Sequence, residues 1–307
     1  MIDAARTMEG RTTGAALTVS PIAAGRAPRN WAWLGLLPFL AFLMLFLVIP
    51  AVSVFQQSLK NADGSIGTES MAQAFRGQNR DAFLFSITFS AAAAIVGVVL
   101  GALLAYAAAT ARRPRWLRNV VTSFSGVAAN LGGIPLAFAF LALLGRQGLL
   151  TKIVGAFGYD LYKAGFGFDT VPGLITVYSY FNIPLMVLIT LPAIDGLKTS
   201  WREASTNLGG TTWTYWRRVG LPVLAPSLLG GFLLLFANSF SAYATAAALT
   251  DTSRVVSLRL AFFLGGDVNA GEDAVGYSLA SWMIIIMAVS MGLYWILRKR
   301  AERWQQS

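Results

Sequence analysis

The chain has 307 residues, 56% of them apolar and only 12% charged. Soluble domains carry roughly 25% charged residues, so a soluble enzyme and a disordered protein are both excluded. Cys and His are absent, which removes disulfides, thiol nucleophiles, His-based triads and His- or Cys-ligated metal sites. The net charge of +10 then becomes a question of where basic residues lie relative to a bilayer.

In chain order, residues 1–30 are rich in Ala, Thr, Gly and Arg and read as a mobile tail. Six stretches meet the roughly 20-residue length of a membrane-crossing helix: 31–55, 83–109, 119–145, 171–194, 223–249 and 276–297. None contains Lys, Arg, Asp or Glu. The first is longer than a signal-peptide core and lacks a clear small-residue cleavage site, so it is expected to stay as an anchor. The expected organisation is a tail (1–30), a first span with its loop (31–82), a core of five spans (83–297) and a second tail (298–307). The fold class is an all-α integral membrane protein.

The charges set an orientation. Both tails and the loops after the second and fourth spans hold 16 basic and 5 acidic residues; the other three loops hold 8 and 9. The positive-inside rule places the first group, with both termini, in the cytoplasm. Topology and anionic lipid therefore account for Arg112, Arg113, Arg115 and Arg118, and no nucleic-acid partner is needed. Asp267, Glu272 and Asp273 fall in an external loop. That loop is either simply solvated or a surface that favours an incoming cation.

The spans carry no His, Cys or carboxylate. A membrane protease, a metal-dependent lipid enzyme, a proton-coupled carrier and a voltage sensor are all disfavoured. No G-x-x-x-x-G-K-[ST] loop occurs, so any ATP is bound by another chain. An externally powered pathway, a sodium-coupled carrier using backbone and hydroxyl ligands and a membrane scaffold are left.

Three spans are interrupted. The third contains Asn130, Gly132, Gly133 and Pro135; the fourth Tyr178, Tyr180, Asn182 and Pro184; the fifth Asn238, Ser239, Ser241, Tyr243 and Thr245. Pro135 is expected to disrupt a straight third helix. Asn130, Tyr178, Asn182, Asn238, Ser241 and Tyr243 either face a central water-accessible cavity or bond across helices.

The loop from Leu191 to Pro226 is the most informative segment. Ser200 and Glu203 have capping-box spacing, which predicts a helix from Trp201. Gly209 is expected to end it after two turns in a left-handed cap. Trp201, Ala204 and Leu208 share one face, with Arg202, Thr206 and Asn207 elsewhere. Thr211 or Thr212 is expected to cap a second short helix, and Gly220, Leu221 and Pro222 to turn the chain back into the membrane.

The spacing Glu203-Ala204-Ser205, three residues, Gly209, nine residues, Val219, one residue, Leu221-Pro222 resembles the EAA signature of type I ABC importer permeases. Ser205 replaces the second Ala and Val219 replaces Ile. The likeness covers the chain from about residue 83 onward. The resemblance implies a non-catalytic permease subunit of the bacterial inner membrane. Its loop helix, through Trp201, Arg202, Glu203, Ala204, Ser205, Leu208 and Gly209, would dock on an ATPase subunit that binds ATP and Mg. An external binding protein would deliver substrate, and a second, non-identical permease would complete the pathway. No cofactor is expected on this chain.

The stretches from Asn130 to Pro135, Tyr180 to Met186 and Asn238 to Thr245 look most like the spermidine/putrescine-type branch. That branch also holds permeases for thiamine, iron and aminophosphonates, so the implied solute is small and polar, a polyamine or related cation among the options. A sodium-coupled carrier is the alternative.

Overall fold

A computed structural model describes residues 35–61, 65–111, 116–250, 254–265 and 273–305. The N-terminal tail, Arg112, Arg113, Arg115, Asp267 and Glu272 lie outside the described residues. Two compact units divide at Pro50. Unit one, Met1–Pro50, contributes α1 (Leu37–Leu43), a π-helical turn Met44–Val48 and the start of α2 (Ile49–Ser58). Pro38 sits in the first turn of α1, where a missing N–H costs no helical bond.

Unit two, Ala51–Ser307, holds α3 (Glu69–Gln73), α4 (Gly77–Thr110), α5 (Trp116–Ala128), α6 (Gly133–Leu144), α7 (Leu149–Ala156), α8 (Val171–Asp195), α9 (Thr199–Asn207), α10 (Thr212–Tyr215), α11 (Leu221–Ser241), α12 (Ala244–Leu249), α13 (Val256–Leu264) and α14 (Asp273–Gln305). Among the described residues there is no strand, only an isolated bridge between Lys60 and Ile66. Six helical segments among the described residues are long and apolar enough to cross a membrane: Leu37–Ser58, Gly77–Thr110, Gly133–Ala156, Val171–Asp195, Thr212–Ser241 and Asp273–Ile296.

The centre of unit two is the α4–α8 pair. One face of α4 buries Ser86, Ser90, Ala93, Ala94, Gly97, Gly101, Ala105 and Ala108, a small-residue stripe at helical spacing. Small side chains let two backbones approach closely, as helix interfaces in membranes commonly do. A Cβ added at Gly97 would lie 2.8 Å from the Asn182 Cβ, and one at Gly101 would lie 2.7 Å from the Ile183 carbonyl oxygen. These two contacts advance together along both helices, so α4 and α8 run parallel. Their C-terminal ends share one end of the spans with α9, and Gly77 begins α4 at the other.

The third span differs from the single helix expected over 119–145. The chain leaves helix at 129–132 and restarts as α6, with Gly133 at φ +72°. Pro135 is not the breaking residue. It falls in the first turn of α6, where it is tolerated; the break is made by Asn130 to Gly133 upstream. The apolar helical run then continues through α7.

The fifth span corrects the sequence at both ends. Gly220, Leu221 and Pro222 do not turn the chain. α10 runs through a π-helical turn, Trp216–Gly220, directly into α11, so Thr212–Ser241 is one continuous helical segment. The Leu221 N–H donates to the Trp216 carbonyl, a π-type bond that shifts register just before Pro222, whose ring supplies no donor. At its far end the segment stops at Ser241, with Ala242 extended (ψ 115°), before α12 begins at Ala244.

A protruding helix and two broken spans

α9 is shaped locally. The capping box expected from Ser200 and Glu203 does not form. Lys198 is the N-cap, with no side-chain cap bond, and its carbonyl accepts from Trp201 N at 3.1 Å. The helix therefore starts at Thr199, which puts Ser200 inside it. The C-terminus follows the expectation. Gly209 adopts φ +76°; its N–H donates to Thr206 O at 2.9 Å, and Gly210 N donates to Ser205 O at 2.8 Å. That pair of bonds is a Schellman motif.

α9 buries none of its residues. Trp201 is 36% exposed and Leu208 88%. Lys198 Nζ sits 5.7 Å from the Trp201 ring centroid. Trp201, Ala204, Ser205 and Leu208 line one side of an open, mainly apolar cavity of about 450 Å³; Val219 and Val223 line the other. Arg202 and Glu203 are exposed, and the Glu203 side chain has no hydrogen bond or ion pair among the described residues.

α10, by contrast, is anchored. Thr211 caps it, accepting from Thr214 N at 3.3 Å. Tyr215 is buried, and the Trp216 ring meets Tyr106 of α4 edge-on at 5.1 Å. Gly220 lies under that indole: a Cβ there would be 2.6 Å from Trp216 Cε3. Arg118 of α5 forms an ion pair with Asp195 at the end of α8, so this arginine has a partner beyond any role in topology.

The far end of the Thr212–Ser241 segment meets the break in the third span. Gly133 N donates to Thr245 Oγ1 at 2.9 Å. The Ala242 carbonyl, freed from the helix ladder, accepts from the Tyr178 hydroxyl and from Ser257 Oγ, each at 3.3 Å. Asn182 Nδ2 donates to Ser239 Oγ at 3.0 Å. Tyr178, Asn182 and Ser239 are fully buried. Within this chain Tyr178 and Asn182 therefore bond across helices and do not face open space. Asn130, Asn238, Ser241 and Tyr243 are exposed. Asn130 Nδ2 donates to Gly126 O at 2.9 Å, and Ser241 Oγ to Asn238 O at 3.3 Å. Thr245 and Ser257 are the structural partners that the sequence did not single out for this role. No Gly or Pro marks the fifth-span break at Ala242, which Ser257 supports.

A polytopic, all-helical membrane protein with a capped, uncovered helix outside its spans is the class that these features define. The family model described as "Binding-protein-dependent transport system inner membrane component" matches residues 97–303. The chain belongs to this family, the ABC importer permeases, and is a multi-pass inner-membrane subunit. It is 26% identical over 290 residues to the "Probable starch degradation products transport system permease protein AmyD" of Thermoanaerobacterium thermosulfurigenes, covering 89% of this chain and 95% of that protein. It is 26% identical over 215 residues to the "Molybdenum transport system permease protein ModB" of Mycobacterium tuberculosis, covering 69% and 77%. The fold is that of a chain in a bacterial ABC transporter "involved in the import of the acidic polysaccharide alginate", with TM-score 0.66, 17% identity and coverage of 90% and 96%.

Proposed function

We propose that this chain couples ATP hydrolysis on a separate subunit to solute passage, with α9 as the input and the two span breaks as the output. The observation that carries the reading is a helix capped at its C-terminus and left uncovered, joined through an anchored α10 to one continuous segment ending at a break. At 1.5 Å per residue, thirty residues span about 45 Å. A displacement of α9 is thus passed along Thr212–Ser241 to Ala242, where the chain already leaves helix.

In this reading α9 faces the cytoplasm, as the basic excess at that end supports. Trp201, Ala204 and Leu208 enter a groove on the ATPase subunit, which holds ATP and Mg²⁺. Arg202, Glu203 and Ser205 border that contact, and Gly209 fixes its shape. Glu203 acts as an exposed contact and not as a cap. A binding protein delivers solute at the opposite end. Val120, Phe124 and Val127 of α5, with Ile134 and Phe138 of α6, leave an apolar face exposed that suits a second, non-identical permease subunit.

The pathway narrows to Asn130, Asn238, Ser241 and Tyr243, supported from behind by Tyr178 and Asn182. Amides, hydroxyls and an aromatic ring suit a small polar solute. A polyamine gains no support from the relatives, whose named solutes run from starch degradation products to molybdenum and thiamine. A sodium-coupled carrier would leave the uncovered α9 without a use.

Single cysteines test the pathway cleanly, because the chain has none of its own. Those at Asn238 and Ser241 should react with aqueous thiol reagents, with rates that change with nucleotide. Those at Tyr178 and Asn182 should stay unreactive. For coupling, Glu203→Ala should leave membrane insertion normal and lower binding-protein-stimulated ATP hydrolysis. Normal stimulation and uptake in that variant, with the ATPase still bound, would sink the assignment.

A further inference from the structure

At the end of the spans opposite α9, α13 packs beside the start of α4. Arg259 donates from Nε to Asn79 Oδ1, and from Nη2 to Gln78 Oε1 at 3.2 Å. Asn79 is held in turn, its Nδ2 reaching the Gln73 carbonyl at 3.4 Å. The Arg259 guanidinium lies 5.7 Å from the Phe263 ring centroid, and that of Arg254 lies 5.0 Å from the Phe85 centroid. Both arginines line one cavity of about 380 Å³ with Gln78, Asp81 and Ala82.

The charge in this cavity is not balanced by the described residues. Neither arginine forms an ion pair with any of them. Among the described residues Asp81 is the one acidic group in the lining, against two guanidiniums. The α4 N-terminus has no side-chain cap, so its helix dipole adds further positive potential. A guanidinium has five N–H donors, and Arg259 commits two of them to Asn79 and Gln78. Those two bonds fix its plane and leave the rest for a ligand. Burial also holds the Arg259 guanidinium below its ordinary pKa, a desolvation that a bound anion would offset.

We propose that this cavity is an oxyanion site in which Arg254 and Arg259 grip a phosphate- or sulfate-type group. A planar, forked donor fits such a group better than a point charge does. The group has two sources: a free inorganic oxyanion, or the phosphate of an anionic phospholipid. Phe262 (57% exposed) and Leu264 (43%) on α13 supply apolar surface for the acyl chains of the second.

The test uses the full chain, purified with the subunits that accompany it, in nanodiscs. In discs of phosphatidylcholine, binding of radiolabelled sulfate is measured at fixed ionic strength. In discs doped with phosphatidylglycerol, the lipid retained by the protein is compared with the bulk. Saturable sulfate binding that weakens by about tenfold or more in Arg254→Gln, and much less in Arg254→Lys, assigns a free anion. Enrichment of phosphatidylglycerol that Arg254→Gln abolishes assigns a lipid headgroup. Arg259→Gln should match Arg254→Gln in whichever arm responds. Arg254 is exposed, so its variants keep the test valid if Arg259→Gln fails to fold. Lys152→Gln, outside this cavity, should change neither. If neither probe binds, or if binding persists in Arg254→Gln, the proposal is overturned.

Discussion

The α4–α8 pair and the α9 protrusion are built on opposite principles. In the first, Gly97, Gly101 and a run of Ala and Ser remove side-chain volume so that two backbones touch, and every neighbour constrains every other. In the second, shape is set within a dozen residues by a Schellman motif, and the apolar side chain of Leu208 is left uncovered and that of Trp201 partly so. Glycine serves both, in different ways. At Gly101 the missing Cβ makes room for another helix. At Gly209 there is nothing within 4 Å of where a Cβ would sit, and the glycine is there for its positive φ. Changes in the pair should therefore appear as lost stability, and changes in the protrusion as lost coupling in a stable protein.

The largest loss of stability is expected from Gly101→Val. The new Cβ meets the Ile183 carbonyl, a backbone atom with no rotamer to yield. Overpacking typically costs about 1–3 kcal/mol, and this site should fall at the top of that range. Thermal unfolding of the purified chain reads it; an unchanged midpoint would mean that α4 and α8 can separate without cost.

Asn182→Ala should rank next. It removes the buried partner of Ser239, at about 1–3 kcal/mol for an unsatisfied buried group. Tyr178→Phe should cost less, about 0.5–1.5 kcal/mol, because the Ala242 carbonyl keeps its bond from Ser257. A Tyr178→Phe, Ser257→Ala double variant should cost more than the sum of the singles, since the carbonyl then loses both donors. Strict additivity would show that water replaces them, and so that the break is hydrated.

Arg118→Ala should barely register, at about 0–1 kcal/mol, because the ion pair with Asp195 is substantially exposed. Trp201→Ala combined with Leu208→Ala should change the unfolding midpoint little, since Leu208 is 88% exposed and Trp201 covers no buried side chain of α9. Uptake should nevertheless fall by about tenfold or more, as for loss of an anchor side chain at an interface. A clear drop in the midpoint would place α9 with the packed frame and remove the contrast.

Much of this was legible in the residues. Uncharged apolar runs marked the spans, because a bilayer core leaves little choice of side chain. Gly209 announced its cap, since few other residues take a positive φ without strain. Thr211 lay at its expected cap. Local signals misled where a second local signal competed. The Ser200–Glu203 spacing suggested a start at Trp201, but the Lys198 carbonyl took the first helical bond. Pro135 looked like a breaker but sits in a first turn, where it breaks nothing.

The sequence by itself therefore determined what depends on side chain and solvent alone: the all-α membrane class, the number of apolar segments though not the bounds of the third and fifth, the cap at Gly209 and the family signature around it. Tertiary structure decided what depends on a distant partner. Ala242 leaves helix with no Gly or Pro beside it, because Tyr178 and Ser257, 64 and 15 residues away, accept its carbonyl's loss of the ladder by donating to it. Gly220-Leu221-Pro222 stays helical because the indole of Trp216 packs on Gly220 and against Tyr106. Asn182 turns inward because Ser239 is there to receive it. A hydrogen bond to a backbone group needs a donor at the right place in space, and position along the chain does not reveal which donor that will be.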